Sequence, residues 1–84
     1  MNAAHRLVGY DRQTELEKFE VAIPQRFLGE IRNVVRFDRD DPKATGCYQL
    51  TSEQARRIAG MVHRDRLPNG LDFFFEAYAA NLDY

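Results

Sequence analysis

Phe73, Phe74 and Phe75 stand side by side in "LDFFFEAYAANLDY", the stretch from Leu71 to Tyr84 of an 84-residue chain. No regular backbone aims three consecutive side chains at one packed layer. In a strand, successive residues point to opposite sides, so Leu71, Phe73 and Phe75 share one face while Asp72, Phe74 and Glu76 share the other. In a helix, Leu71, Phe75, Tyr78 and Leu82 form one stripe, Asp72, Glu76 and Asp83 form a second, and Phe73 falls well off the apolar one. Either geometry sends at least one phenylalanine away from the main packed face. A strand over residues 71–76 is the preferred reading, because a two-stranded hairpin alone is marginal in water and a third strand steadies it. Ala77, Ala79, Ala80 and Leu82 keep the helical alternative open.

That third strand needs a hairpin to join, and "RLVGYDRQTELEKFEVAIP" supplies one. Phe19, Val21 and Ile23 alternate with Lys18, Glu20 and Ala22, the period of a half-buried strand. Leu7, Val8 and Tyr10 give the preceding strand, and the polar "DRQT" turns the chain. Pro24 then suits a first helical position, and Phe27, Leu28, Ile31, Val34 and Val35 fall on one face of a helix ending near Phe37. Gly29 inside that helix costs about 1 kcal/mol relative to alanine, so the helix depends on its packing. A second helix begins at Thr51, whose side chain and Gln54 three residues on form a capping box. Its apolar stripe is Ala55, Ile58, Ala59 and Val62, and Pro68, Asn69 and Gly70 stop the segment. The fold class expected is α+β. It comprises an antiparallel β-hairpin plus a third, C-terminal strand, with two helices packed on one face. The expected core is Phe19, Val21, Ile23, Phe27, Leu28, Ile31, Val35, Ile58, Val62 and Phe75.

Composition narrows the function classes. The length gives one domain over residues 1–84. The single cysteine, Cys47, cannot make an internal disulfide, and with no apolar signal-like stretch at the start, a cytoplasmic setting is expected. A net charge of −1 excludes a non-specific charge grip on nucleic acid. The charges are unevenly spread, however. Residues 24–66 carry nine Lys/Arg against six Asp/Glu, and residues 67–84 carry none against three.

Constellations that would carry chemistry fail on spacing. His5, His63 and Cys47 are scattered and make no metal-ligand pattern, so no metal site or cofactor is expected. His63 suits the end of its helix, and Cys47 is expected to act as a small hydrophobe beside Tyr48. "DRDDPK", from Asp38 to Lys43, lacks the oxygen ligand, glycine and glutamate that a calcium loop places at set positions. Ser52 is the one serine, beside a capping threonine, and glycines occur singly, so no enzyme is expected. Arg56, Arg57, Arg64 and Arg66 could touch phosphates if residues 51–60 opened a helix-turn-helix, but the segment after them carries only negative charge. Nucleic-acid binding through those arginines is the alternative reading.

"LVGYDRQTELEKFEVAIP", "YQLTSEQARRIAG" and "LDFFFEAYA" together resemble a family of short, uncharacterised bacterial proteins of unknown function. Its members share a hairpin opening, a Y-x-L-T-x-E-Q-A helix start and an F-F-x-E-x-Y ending. The resemblance implies no activity, cofactor or site residue. The function expected from the residues themselves is non-catalytic protein–protein contact, as a homodimer, an adaptor or an immunity-like module. Its surface is the acidic-aromatic set Asp72, Phe73, Phe74 and Glu76, since exposed aromatics rimmed by charge are a common docking anchor.

Overall fold

A computed structural model describes residues 3–41, 44–64 and 66–79. Strands β1 (Ala3–Asp11), β2 (Glu17–Ile23), β3 (Cys47–Leu50) and β4 (Leu71–Ala79) form one sheet in the order β2-β1-β4-β3, every neighbouring pair antiparallel. Helices α1 (Leu28–Ile31) and α2 (Ser52–Met61) pack on one side of it. The class is therefore mixed α+β, with four strands where the sequence suggested three. The missed strand is β3: Cys47–Leu50 alternates exposed and covered residues over only four positions, too few for period 2 to stand out beside the capping signal at Thr51.

Cross-strand partners share a face, so the register fixes the two sides of the sheet. On the covered side lie His5, Leu7 and Gly9 of β1, Phe19, Val21 and Ile23 of β2, Phe73 and Phe75 of β4, and Tyr48 and Leu50 of β3. These join Ile31, Val35, Ala55, Ile58 and Ala59 in a single cluster, with Phe27, Leu28 and Val62 packed against it. Every expected core residue is thus in or against the core. Gly9 makes room for one of them. A Cβ at that position would lie 2.8 Å from Leu71 Cδ1 and 2.9 Å from Phe73 Cε1, so only glycine lets β4's side chains settle across the central strand.

Two helical expectations fare differently. At α2, Thr51 Oγ1 accepts from the Gln54 backbone N–H at 3.1 Å and Gln54 Oε1 accepts from the Thr51 N–H at 2.8 Å, the reciprocal cap that the residues suggested. Its far end closes with His63 in the left-handed region (φ 62°), while the Arg64 N–H reaches the Ala59 carbonyl and the His63 N–H reaches that of Gly60. His63 thus occupies a place usually given to glycine. The helix expected from Pro24 to Phe37 is instead a 3-10 turn, Gln25–Phe27, followed by a four-residue α1 and further single turns. Gly29, Asn33 and two consecutive valines hold little helix propensity, and turns suffice to bring Ile31 and Val35 into the core.

Residues 71–79 are a strand, longer than the 71–76 expected. The helical alternative's Leu82 and Asp83 lie outside the described residues, as do Pro42 and Lys43 of the loop after α1.

That loop is organised by Asp41. Its carboxylate accepts from the Thr45 hydroxyl (2.6 Å) and N–H (2.7 Å), the Gly46 N–H (2.9 Å) and the Tyr48 hydroxyl (2.5 Å). The Thr45 hydroxyl first, then Tyr48 and the backbone donors, hold the Asp41 carboxyl well below the usual carboxylate range. A group whose folded pKa is depressed lends stability above its unfolded pKa of about 3.9 and loses it as pH falls towards the folded value. Urea midpoints measured from neutral pH downward should therefore show Asp41→Asn less stable than the native chain, with the gap narrowing below about pH 4. A gap independent of pH would show that Asp41 acts only through its shape.

Candidate functional site

No described element covers the second face of the sheet. It carries Arg6, Val8 and Tyr10 from the central β1, Glu17, Glu20 and Ala22 from β2, Asp72, Phe74 and Glu76 from β4, and Cys47 and Gln49 from β3. Val8, opposite Phe74, is fully buried even on this face. Phe74 is half-buried and meets the Tyr10 ring edge-on, with centroids 5.7 Å apart.

The three phenylalanines are thereby separated. Phe75 is wholly inside, and Phe73 is 7% exposed, set edge-on to Phe19 with centroids 6.0 Å apart. Phe73 leaves the expected contact set, since strand alternation carries it to the covered side with Leu71 and Phe75. Phe74, Asp72 and Glu76 are brought together as the strand reading expected.

Glu76 is the polar centre of this open face. Its Oε1 accepts from Arg6 Nε at 2.9 Å and Nη2 at 2.6 Å, the Tyr10 hydroxyl lies 3.4 Å from each of its oxygens, and the Cys47 thiol points at Oε2 at 3.5 Å. Arg6 Nη1 also donates to Glu20 (2.7 Å) and Glu17 (3.2 Å). A β-bulge makes this double grip possible. Gly9 lies opposite Phe19 but Tyr10 lies opposite Glu17, so Lys18 is the extra residue. The bulge brings two glutamates three positions apart onto one side of β2.

Beside Phe74 the face dips into a basin of about 440 Å³, walled by Tyr10, Cys47, Asp72 and Glu76 and, from the β1–β2 turn, Asp11, Arg12 and Glu15. The turn is held in place by Asp11, whose Oδ1 accepts from the Gln13 and Thr14 N–H groups at 2.8 and 2.9 Å. Arg12 bridges from it to β4, pairing with Asp72 at 3.1 Å and donating to the Leu71 carbonyl. Across the face and basin wall, the carboxylates of Asp11, Glu15, Glu17, Glu20, Asp72 and Glu76 outnumber the guanidinium groups of Arg6 and Arg12.

Cys47 is exposed on this face, not a hydrophobe tucked beside Tyr48, because β3 alternates and Tyr48 takes the covered position. Partial burial, and then Glu76 beside it, push its thiol up, so at neutral pH it stays protonated and is a poor nucleophile. The same two causes raise Tyr10. Sequence reasoning missed Arg6, Tyr10 and Cys47 as members of this surface. In the sequence, Leu7, Val8 and Tyr10 read only as residues of a first strand; strand alternation puts Tyr10 on the face of Val8, and nothing local shows that β1 lies beside β4.

Arg56, Arg57, Arg64 and Arg66 are all exposed, on α2 or just beyond it. The next element along the chain is β4, an interior strand, so the described residues place no recognition helix after α2. No group of His, Cys, Asp and Glu among the described residues could hold a metal ion, and none of their helices is long and apolar enough to cross a membrane.

A family model matches residues 5–78, and its description is a domain of unknown function, DUF7683. No curated protein and no solved structure matches the chain.

Proposed function

We propose that the chain, which belongs to the DUF7683 family, is a non-catalytic docking module whose open sheet face receives a basic segment of a protein partner. The observation that carries this reading is the pairing of Phe74 and Tyr10 at the floor of a basin whose walls are mainly carboxylate. An aromatic floor and an anionic rim together suit an arginine or lysine side chain, by cation–π attraction below and ion pairing around it. Helices and loops on the opposite side carry an excess of arginine, so the molecule is charge-polarised and would orient such a partner before contact. A bacterial, cytoplasmic role as an adaptor or immunity-like protein belongs to the same proposal. Catalysis has no support in Cys47, which partial burial, and then the Glu76 carboxylate, hold as a thiol. The arginine-based nucleic-acid reading falls behind, because the strand after α2 is sheet interior.

The experiment is an NMR titration of the labelled chain with decapeptides, one set rich in Arg and Lys and one neutral. Basic peptides should move the amides of Tyr10, Cys47, Asp72 and Phe74, and the effect should weaken as salt rises. Phe74→Ala should reduce affinity about tenfold, the central-anchor range, with an unchanged circular dichroism spectrum. Equal shifts from neutral peptides, or affinity indifferent to Phe74, would overturn the reading.

A further inference from the structure

The strand order leaves β2 at one end of the sheet, with its outer edge unpaired among the described residues. Exposed edges are normally blunted by lysine, proline, bulges or brevity. At the other end, β3 is blunted by brevity, having four residues. On β2 the bulge at Lys18 and the imino acid Pro24 bracket the strand, yet between them "FEVAI", Phe19 to Ile23, contains no lysine, proline or glycine. Phe19 and Val21 pack against the core but remain only half-buried, because the sheet stops beside them.

We infer that this edge is a second interaction surface, independent of the basin, and that its occupant is β2 of a second copy, paired antiparallel about a two-fold axis. Self-complementarity selects that occupant and its register. Residues opposite one another across such an axis must share a face, so the axis passes beside a single residue of each copy. Centred on Glu20, it sets two glutamates directly opposite, which is repulsive. Centred on Ala22, it keeps only residues 21–23 paired within the strand and leaves Phe19 opposite Gln25, already in the following turn. Centred on Val21, it pairs valine with valine, Phe19 with Ile23 and Glu20 with Ala22, so the apolar side chains meet over an extended core and no like charges face each other. The two four-stranded sheets then become one continuous sheet, with both acidic faces on the same side. A basic partner would meet two basins at once.

Position 22 tests the register directly, because its side chain is exposed and lies opposite Arg6 within its own chain. Ala22→Glu gains a neighbouring cation in the monomer but would face Glu20 of the second copy. Ala22→Lys gains a like charge in the monomer but would pair with that Glu20. Sedimentation equilibrium of the full chain, from about 1 µM to about 1 mM, should show a monomer–dimer equilibrium that mass action drives. Ala22→Glu should weaken dimerisation about tenfold and Ala22→Lys should strengthen it severalfold, each mutation acting at two symmetric pairs. Circular dichroism of each variant confirms that the fold is retained. A native chain that stays monomeric throughout that range overturns the inference. So does a dimer that responds to neither substitution, or that responds to both in the same direction.

Discussion

Phe75→Ala should remove about 3–5 kcal/mol of stability, the usual cost of emptying an aromatic site in a core that cannot collapse. For a domain of this length the whole unfolding free energy is roughly 4–12 kcal/mol, so the variant should stand at the edge of folding. Phe75 has no exposed surface and stacks with two rings, His5 at 5.0 Å and Phe37 at 6.0 Å, both nearly parallel to it. Those partners cannot move to fill the void. His5 Nε2 donates to the buried Ala44 carbonyl at 3.0 Å, and Phe37 is wedged against Tyr48, whose hydroxyl is tied to Asp41. Phe74→Ala, one residue earlier, should cost only about 1 kcal/mol, since its ring is already half in water. Urea denaturation followed by circular dichroism separates the two. Similar losses at both positions would mean that the open face is not open.

This contrast is legible in the sequence alone, because the triplet permits few arrangements. Strand alternation alone divides Leu71, Phe73 and Phe75 from Asp72, Phe74 and Glu76, and it needs no knowledge of what lies alongside. The β1–β2 hairpin and the capped α2 are readable for the same reason, as each is written in residues close in sequence. The features that could not be read depend on contacts distant in sequence. The pairing of β1 with β4 joins residues some seventy positions apart, and only that pairing sets Arg6 against Glu76 and Tyr10 against Asp72. Phe73 entered the expected contact set because a helical tail would have turned it outward. Cys47 was misread because it belongs to a strand too short to announce itself. The long first helix failed on energetics, since an apolar stripe is satisfied equally by successive turns when Gly29 and Val34–Val35 weaken the helix. The acidic-aromatic surface was thus partly foreseeable, and the basin, being a meeting of three distant segments, was not.

An acidic face must still fold, and Arg6 is what allows it. One guanidinium at the centre of the sheet reaches Glu76 on β4 and both Glu17 and Glu20 on β2, so it ties its strand to each neighbour. Its side chain is 20% exposed and that of Glu76 16%, against 39% and 44% for Glu17 and Glu20. The contact with Glu76 should dominate, because water screens the outer two and such exposed pairs contribute little individually. Arg6→Gln should therefore cost about 2–3 kcal/mol, from one partly buried carboxylate left without its charged donor and three carboxylates left to repel one another. Lysine cannot replace it, since a single ammonium cannot span both neighbouring strands. The decisive measurement is a double-mutant cycle with Glu20→Gln. In the native background that change removes an attraction and should destabilise slightly. In the Arg6→Gln background it removes a repulsion and should stabilise. Equal effects in both backgrounds would show that Arg6 does not neutralise this face, and the acidic basin would then need another source of stability.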